Sequence, residues 1–243
     1  MKKNRQRLDI RVQELRPDLS RSAVQGLIIR GCVTVDGAMV NKPGTGVTGD
    51  QDVTITEPLV TYVSRAGNKL AQALDYFNIS VSNKVALDAG LSTGGFTDCL
   101  LQRGITRVYG VDVGYGQVHE KIRANSRVII MERTNLRYLE SLPELVNIVT
   151  LDLSFISVTK VIPVVRKLMA SGGDLIVLVK PQFEATRAEA AGGVIRDSVL
   201  REQVVQSVCA AVARAGFIIK GCIPCDTPGA EGNIEYLLYG VCT

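Results

Sequence analysis

The stretch Val85-Ala-Leu-Asp-Ala-Gly90-Leu-Ser-Thr-Gly94-Gly95-Phe96 decides the fold, because an apolar run passes through a glycine turn into a helical pattern. A buried strand followed by such a turn and a helix opens a ligand-binding βα unit, in which the backbone passes close to the ligand. The spacing is not the G-x-G-x-x-G of dinucleotide-binding proteins. By itself the turn therefore indicates a small-molecule site of open identity.

Strand and helix patterns alternate outward from this turn, from Ser64 to the end of the chain. This alternation predicts an α/β fold, with a mostly parallel sheet covered by helices on both faces. The predicted strands are Val85–Ala89, Arg107–Val113, Val128–Glu132, Asn147–Leu153, Asp174–Lys180, Phe217–Pro224 and Ile234–Val241. The predicted helices are Lys69–Tyr76, Phe96–Gln102, Val158–Met169 and Val199–Ala215. The segment Phe183–Asp197 lacks periodicity, and we expect a loop there.

An acidic residue, Asp112, lies near the end of the second predicted strand. In nucleoside-binding α/β proteins an acid at this position accepts hydrogen bonds from ribose hydroxyls. The glycine turn and Asp112 together therefore predict a nucleoside cofactor. Nicotinamide, flavin and S-adenosylmethionine enzymes share this arrangement, so the pair does not choose between them.

Four charged residues lie far apart in the chain, each at the end of a predicted element: Lys69, Asp152, Lys180 and Glu235. Taken singly, each is most simply a solvated strand end or half of an ordinary ion pair. If the predicted strands are neighbours in one sheet, however, the four side chains converge on one cleft. That cleft is the candidate catalytic site.

Two other chemistries fit parts of the sequence less well. Gly90-Leu-Ser92-Thr-Gly94 has the G-x-S-x-G spacing of a hydrolase nucleophile elbow, but the single histidine, His119, comes too early to be its base. The same count argues against an H-E-x-x-H metal site. Cys222-Ile-Pro-Cys225 has C-x-x-C spacing but no second ligand pair, so neither a zinc site nor a redox pair is favoured.

The first part of the chain is basic and has a different organisation. Of the 243 residues, 46% are hydrophobic and 21% charged, with a net charge of +4, and basic residues cluster before position 31. Two short amphipathic helices and a strand-rich tail are predicted between Arg7 and Ile55. The chain has no signal-peptide pattern and no apolar run of membrane-spanning length, and its cysteines are scattered. We therefore expect a cytoplasmic protein with reduced thiols.

This N-terminal stretch, with Leu8-Asp9, Ser20-Arg-Ser22 and Gly31-Cys-Val-Thr-Val-Asp-Gly37, resembles the S4 RNA-binding domain. The resemblance implies that basic side chains lie against structured RNA, which proteins recognise largely by shape and backbone contacts. The candidate RNA contacts are Arg5, Arg7, Arg21, Arg30 and Lys42.

Several motifs in order, from Tyr62-Val-Ser-Arg-Ala-Gly-Asn-Lys69 through Leu151-Asp-Leu-Ser-Phe155 and Val179-Lys-Pro-Gln-Phe-Glu184 to Gly232-Asn-Ile-Glu-Tyr236, are similar to the TlyA family of ribosomal RNA 2′-O-methyltransferases. The resemblance implies an S4 domain over residues 1–60 and an FtsJ-like, Rossmann-like methyltransferase domain over 61–243. It implies S-adenosylmethionine as cofactor, ribosomal RNA as partner and cytidine as the favoured nucleotide, while the single histidine and isolated cysteines lead us to expect no metal. The implied tetrad is Lys69, Asp152, Lys180 and Glu235, and the implied cofactor residues are Asp88, Gly90, Ser92, Thr93, Gly94, Gly95, Asp112 and Asn135.

The implied chemistry is reasonable, because a ribose hydroxyl is a poor nucleophile that must be held in line and relieved of its proton. Lys180 is the base in this hypothesis, and Lys69 and Glu235 fix the ribose. Positive charge on Lys69 and on the cofactor sulfonium favours a neutral Lys180, whereas the carboxylate of Asp152 opposes it. Two alternatives remain: a non-catalytic RNA-binding protein of the same fold, and a membrane-lytic protein, as the haemolysin label of the family suggests.

Overall fold

The computed structural model describes residues 5–29, 31–56, 62–186, 188–190, 193–229 and 232–243. The chain divides into two compact units, Met1–Val60 and Thr61–Thr243. In the described residues, no helix has the length and apolar character needed to cross a membrane.

The first unit packs two helices against short strands. Its elements are β1 (Arg5–Arg7), α1 (Leu8–Leu15), α2 (Arg21–Ile29), β2 (Val33–Val35), β3 (Ala38–Met39), β4 (Gly46–Thr48) and β5 (Val53–Ile55). β1 pairs antiparallel with β4, and β2 lies between β3 and β5. Apolar side chains at helical spacing in α1 and α2 form the core with Val33 and Val47 because burial removes them from water.

The second unit is built on a seven-stranded sheet. Its strands are β6 (Val85–Ala89), β7 (Arg107–Val111), β8 (Val128–Met131), β9 (Val146–Leu151), β10 (Met169–Val179), β11 (Phe217–Pro224) and β12 (Tyr236–Cys242). Their order across the sheet is β11-β12-β10-β9-β6-β7-β8. The five adjacent strands β10, β9, β6, β7 and β8 are parallel to one another. β12 is antiparallel to both β10 and β11. The predicted α/β fold with a mostly parallel sheet is confirmed.

Helices cover both faces of this sheet. They are α3 (Ala66–Tyr76), α4 (Gly95–Gln102), α5 (Glu120–Arg123), α6 (Ile162–Leu168), α7 (Pro181–Glu184) and α8 (Ser198–Arg214), with 3-10 turns at Leu136–Tyr138 and Val158–Lys160. One core joins Leu70 of α3 and Leu100 of α4 to the sheet, and the other joins Val165 of α6 and Val212 of α8 to its opposite face. The central strands are therefore buried on both sides, as their continuous apolar sequences require.

Several predicted boundaries differ from the structure by a few residues, and two regions differ in the kind of element they form. The segment predicted as one helix, Val158–Met169, is a 3-10 turn followed by α6, and Met169 already belongs to β10. α7 takes Phe183 and Glu184 out of the predicted loop, because a proline at the first helical position preorganises a helical turn.

The order of strands along the chain reverses between β6 and β9, which lie side by side. In open α/β sheets ligands bind at such a switch point, outside the carboxyl ends of the strands. The residues that follow β6, β7 and β9 are Gly90, Asp112 and Asp152. We therefore expect the ligand site at the carboxyl ends of β6, β7 and β9.

Candidate active site

A cavity of about 440 Å³ lies at the switch point. Its apolar wall includes Val111 and Leu153, and its lining also contains Gly90, Ser92, Val113, Asp112, Gln117, Thr134, Asn135, Asp152, Ser154, Phe155, Ile156 and Val161. The volume lies within the range of roughly 300–1,000 Å³ that is usual for cofactor sites. Four of the predicted cofactor residues line this cavity: Gly90, Ser92, Asp112 and Asn135.

The glycine turn is fixed by close approach of backbone to backbone. Gly90 has φ +87°, and a Cβ atom there would lie 2.2 Å from the carbonyl oxygen of Asp152. The Gly90 N–H donates to the Val111 oxygen at 2.9 Å. Only glycine combines this left-handed backbone with so little room, so the turn requires the residue that the sequence supplies.

Asp112 is held rigidly beside the turn. Its Oδ2 accepts the Ser92 N–H and its Oδ1 accepts the Gly114 N–H, each at 2.7 Å. A carboxylate oxygen can accept more than one hydrogen bond. Asp112 therefore keeps acceptor capacity toward the cavity, which fits the two hydroxyls of a ribose.

Lys180 and Asp152 form an ion pair at the cavity. The Lys180 Nζ lies 2.6 Å from Asp152 Oδ1, and 12% and 18% of the two side chains are exposed. Lys180 Nζ also donates to the Ser154 hydroxyl at 3.1 Å. Apart from the ion pair, Asp152 Oδ1 has no hydrogen-bond partner in the described part of the chain.

Lys69 and Glu235 form a second pair that is more deeply buried. Their Nζ and Oε2 atoms are 2.5 Å apart, with 7% and 3% of the side chains exposed. A Cβ atom on Gly229 would lie 2.2 Å from Glu235 Oε1, so that residue closes over the carboxylate. The backbone oxygen of Glu235 accepts the Cys225 N–H at 2.8 Å.

The sheet brings the two pairs to one edge. β10 lies between β9 and β12. Asp152 follows β9, Lys180 follows β10, and Glu235 precedes β12, which runs in the opposite direction. These three residues therefore lie at the same edge on neighbouring strands, which are typically about 4.8 Å apart. Lys69 reaches the edge from α3 through its bond to Glu235.

Asp88 lies beneath the cavity, outside its lining. It is fully buried, and its oxygens accept bonds from Thr97 Oγ1 at 2.6 Å and Thr150 Oγ1 at 2.8 Å. Burial raises the pKa of the Asp88 carboxyl to about 6, although the two threonine bonds oppose the change. Its contacts join α4 to β9 and support the turn from below.

Three residues of the turn, Thr93, Gly94 and Gly95, also lie outside the cavity lining. Gly94 has φ +93° and precedes α4, and a Cβ atom on Gly95 would lie 2.1 Å from the Ser64 hydroxyl. The Thr93 oxygen accepts the His119 N–H at 3.1 Å. These residues shape the turn through packing, whereas Gly90 and Ser92 face the cavity.

Sequence reasoning did not single out the role of Glu184. Its Oε2 accepts the Ser157 hydroxyl at 2.6 Å, and its Oε1 accepts the Val158 N–H at 2.9 Å. Burial raises the pKa of Glu184, against the effect of these two bonds. The residue ties α7, which follows Lys180, to the loop that carries Ser154. Its position four residues after Lys180 was a possible signal.

Phe155 stands out at the rim of the cavity. It is 91% exposed, and its φ of +64° is uncommon for a bulky residue. Its ring lies 5.1 Å, centroid to centroid, from that of Phe183 in α7. An exposed aromatic in a strained backbone beside a cavity is a feature that function explains better than folding does.

The geometry does not favour the competing chemistries. The Ser92 hydroxyl faces Gln117 at 3.5 Å, while Nδ1 of His119 accepts the Lys121 N–H and caps α5, so no serine–histidine pair forms. Cys222 packs with one core and Cys225 with the other. No group of three His, Cys, Asp or Glu side chains suited to a metal was found among the described residues.

The candidate RNA contacts gather in the first unit. Arg5 and Arg7 lie on one face of β1, Arg5 over Gly46 and Arg7 over Gly44. Arg21 begins α2, and Lys42 is exposed in the loop before β4. Arg30 lies outside the described residues.

Comparison with protein families gives two matches. The FtsJ-like methyltransferase model matches residues 62–241, and the S4 domain model matches residues 6–53. The first covers most of the chain and includes every residue of the candidate site.

Individual relatives are similar over nearly the whole chain. The 16S/23S rRNA (cytidine-2′-O)-methyltransferase TlyA of Mycobacterium tuberculosis is 40% identical over 93% of this chain and 86% of its own length. Hemolysin A of Brachyspira hyodysenteriae is 39% identical, over 90% and 93%. A solved structure named "Putative hemolysin from Streptococcus thermophilus" superposes with a TM-score of 0.78 at 36% identity, over 98% of this chain and 89% of that one.

Proposed function

We propose that this chain, which belongs to the FtsJ-like methyltransferase family, methylates the ribose 2′-hydroxyl of ribosomal RNA with S-adenosylmethionine as donor. The observation that carries the proposal is that two lysine–carboxylate pairs and a nucleoside-sized cavity lie at one edge of the sheet, with Asp152 belonging both to one pair and to the cavity lining. An S4 domain in the same chain supplies a surface suited to RNA.

The cavity fits the cofactor on its own structural terms. Asp112 offers acceptor capacity to ribose hydroxyls, and Gly90 keeps side-chain atoms out of the space where backbone and ligand meet. Ser92 and Asn135 add polar groups among apolar walls. Bound S-adenosylmethionine supplies an electrophilic methyl group on a sulfonium.

In this proposal Lys180 removes the proton of the ribose hydroxyl. Nζ would take the proton from the hydroxyl oxygen, and bound S-adenosylmethionine would supply the methyl group to that oxygen as its own carbon–sulfur bond breaks and the neutral thioether leaves. To take this proton Nζ needs a free lone pair directed at the hydroxyl, whereas in the structure Nζ lies against a carboxylate at 2.6 Å. The pair therefore has to loosen when substrate binds, and the Ser154 hydroxyl offers a neutral partner that keeps Nζ in place.

Lys69 and Glu235 have a different role in the proposal. Their charges neutralise each other in a closed pocket, so they form a fixed polar frame for the ribose. Asp152 connects Lys180 to the glycine turn, because its side chain pairs with Lys180 while its carbonyl oxygen lies against Gly90.

Ribosomal RNA is the substrate favoured by the relatives, and the M. tuberculosis relative is named for cytidine. We infer the same nucleotide class here and place the reaction in the cytoplasm. An enzyme that modifies one nucleotide can select it by moving its base out of the stack. Phe155, exposed at the cavity rim, is suited to receive the displaced base by stacking.

The test is transfer of tritiated methyl groups from S-adenosylmethionine to ribosomal RNA, with mapping of bonds made resistant to alkali by 2′-O-methylation. The unaltered protein should label the RNA at the ribose. Lys180→Ala should lose roughly 10²–10⁴-fold in kcat, the usual contribution of a general base. Binding of S-adenosylmethionine, measured by calorimetry, should stay within about threefold, since Lys180 does not line the cavity.

The matched control is Lys84→Ala. Lys84 precedes β6 and forms a similar pair with Asp174, at 2.7 Å, at the opposite edge of the sheet. This variant should retain activity. Full activity in Lys180→Ala would refute the tetrad assignment, and labelling of bases in place of riboses would refute the reaction.

A further inference from the structure

A buried carboxylate, Asp9, lies among the basic residues of the first unit. It is 1% exposed. Nε and Nη2 of Arg7 donate to its Oδ1 and Oδ2, both at 2.9 Å, and Nη2 of Arg21 lies 3.9 Å from Oδ2. The bonds from Arg7 lower the pKa of Asp9 to about 2, although burial opposes them. Asp9 is therefore charged at any physiological pH.

Further bonds hold this carboxylate in place. Its Oδ1 accepts the Ile10 N–H and its Oδ2 accepts Nε2 of Gln25, each at 3.1 Å. The Asp9 N–H donates to the Pro43 oxygen at 3.0 Å. One residue thus connects α1, α2 and the loop before β4, and its position does not depend on the arginines alone.

The bond pattern leaves one edge of Arg7 available. A guanidinium carries five N–H donors, and Asp9 takes the edge formed by Nε and Nη2. Nη1 lies over Gly44, where a Cβ atom would be 3.4 Å away. No hydrogen bond to another described residue occupies Nη1. Arg5, on the same face of β1, lies over Gly46.

We propose that Asp9 is a positioning residue for RNA binding, which fixes Arg7 and draws in Arg21 so that their remaining N–H groups meet phosphates of a structured RNA. The inference rests on the proposed ribosomal RNA substrate. An arginine loses side-chain conformational entropy when it is immobilised. Asp9 imposes that loss before RNA arrives, which favours binding.

Charge alone predicts the opposite effect. A carboxylate on a basic surface weakens the positive potential that attracts phosphates. Removal of the Asp9 charge should strengthen RNA binding if the potential dominates and weaken it if positioning dominates. The sign of the change therefore decides between the two.

The experiment compares Asp9→Asn with Asp18→Asn in the full chain. Asp18 accepts from Nε and Nη2 of Arg16, at 2.8 and 2.6 Å, in the same two-residue spacing, but its side chain is 58% exposed. Both variants lose one negative charge and one two-pronged arginine bond. Affinity for ribosomal RNA purified from bacterial ribosomes is measured over a series of KCl concentrations.

Asp9→Asn should bind roughly tenfold more weakly, the size of one charge-assisted hydrogen bond to a phosphate. The slope of log affinity against log salt should fall by about 0.7–0.9 for each phosphate that the variant no longer neutralises. Asp18→Asn should bind as well as the unaltered protein or better. Binding by Asp9→Asn at or above the unaltered level would overturn the inference alone, whereas no binding by the unaltered protein would overturn the RNA substrate as well.

A second variant is needed because Asp9→Asn also disturbs the bond to Gln25 and could misfold for that reason. Arg7→Lys keeps the positive charge but cannot form the two-pronged bond. Its affinity should fall nearly as far as that of Arg7→Met, whereas its thermal unfolding temperature should fall less, because lysine still neutralises the buried carboxylate of Asp9. If Arg7→Lys binds like the unaltered protein, charge is sufficient and positioning by Asp9 is refuted.

Discussion

The two lysine–carboxylate pairs at the edge of the sheet differ in their surroundings. Lys69–Glu235 is nearly sealed from solvent, with Gly229 over the carboxylate, whereas Lys180–Asp152 is more exposed and adjoins the cavity. Lys180 has a second partner in Ser154. A sealed pair resists any change of charge, whereas a pair beside a cavity can exchange one partner for a ligand. We therefore expect Lys69 and Glu235 to hold the ribose in place and Lys180 to take the proton.

The largest expected effect comes from breaking the sealed pair. Lys69→Met leaves the Glu235 carboxylate buried without its cation, and such a loss typically costs about 3–5 kcal/mol of unfolding free energy. Lys180→Met should cost no more than about 1–2 kcal/mol, because Asp152 keeps some access to water. Urea unfolding of the full chain, followed through the transition of the second unit, measures the unfolding free energy of both variants.

A double variant sharpens this prediction. Lys69→Met combined with Glu235→Leu removes both charges, so it should recover most of the lost stability, because apolar residues can replace a buried pair at little cost. Its methyl transfer should stay low, since the ribose frame is gone. Equal destabilisation by Lys69→Met and Lys180→Met would remove the distinction between the pairs.

Two glycines test the pairs from the backbone side. Gly90→Ala places a Cβ atom 2.2 Å from the Asp152 carbonyl oxygen at φ +87°, and Gly229→Ala places one 2.2 Å from Glu235 Oε1. Overpacking costs roughly 1–3 kcal/mol in each, and the left-handed backbone adds about 1–2 kcal/mol at Gly90. Calorimetry should show weaker binding of S-adenosylmethionine in Gly90→Ala but near-normal binding in Gly229→Ala.

Gly116→Ala is the matched control for Gly90→Ala. Gly116 has φ +72°, but a Cβ atom there would meet nothing within 4 Å. This variant carries the backbone strain without the collision. If it weakens cofactor binding as much as Gly90→Ala does, the close approach to Asp152 is not the cause.

The sequence was sufficient to predict the sheet, because periodic apolar runs and the glycine turn are local signals. It also placed Asp152, Lys180 and Glu235 at strand ends, and parallel topology then brings strand ends together. It did not reveal which lysine pairs with which acid, because that depends on helix packing. Lys69 and Glu235 are 166 positions apart in the chain.

The same limit applies to two acids whose surroundings only the structure shows. Asp88 was expected at the cofactor, but its bonds to Thr97 and Thr150 place it in the core beneath the turn. Asp9 was visible as part of a motif, yet its burial between two arginines depends on how α1 and α2 pack. Neighbours across elements, which a single sequence does not specify, decide whether an acid is exposed, paired or buried.

The smallest expected effect concerns the Ser154 hydroxyl, which accepts a bond from Lys180 Nζ at 3.1 Å. Ser154→Ala removes a neutral partner worth about 1 kcal/mol, so kcat should fall roughly fivefold with little change in unfolding free energy. Ser154→Thr keeps a hydroxyl and should retain most of the activity. If Ser154→Ala keeps the full kcat, Asp152 alone positions Lys180 during the reaction. The open pair would then differ from the sealed pair in solvent access and not in its choice of partners.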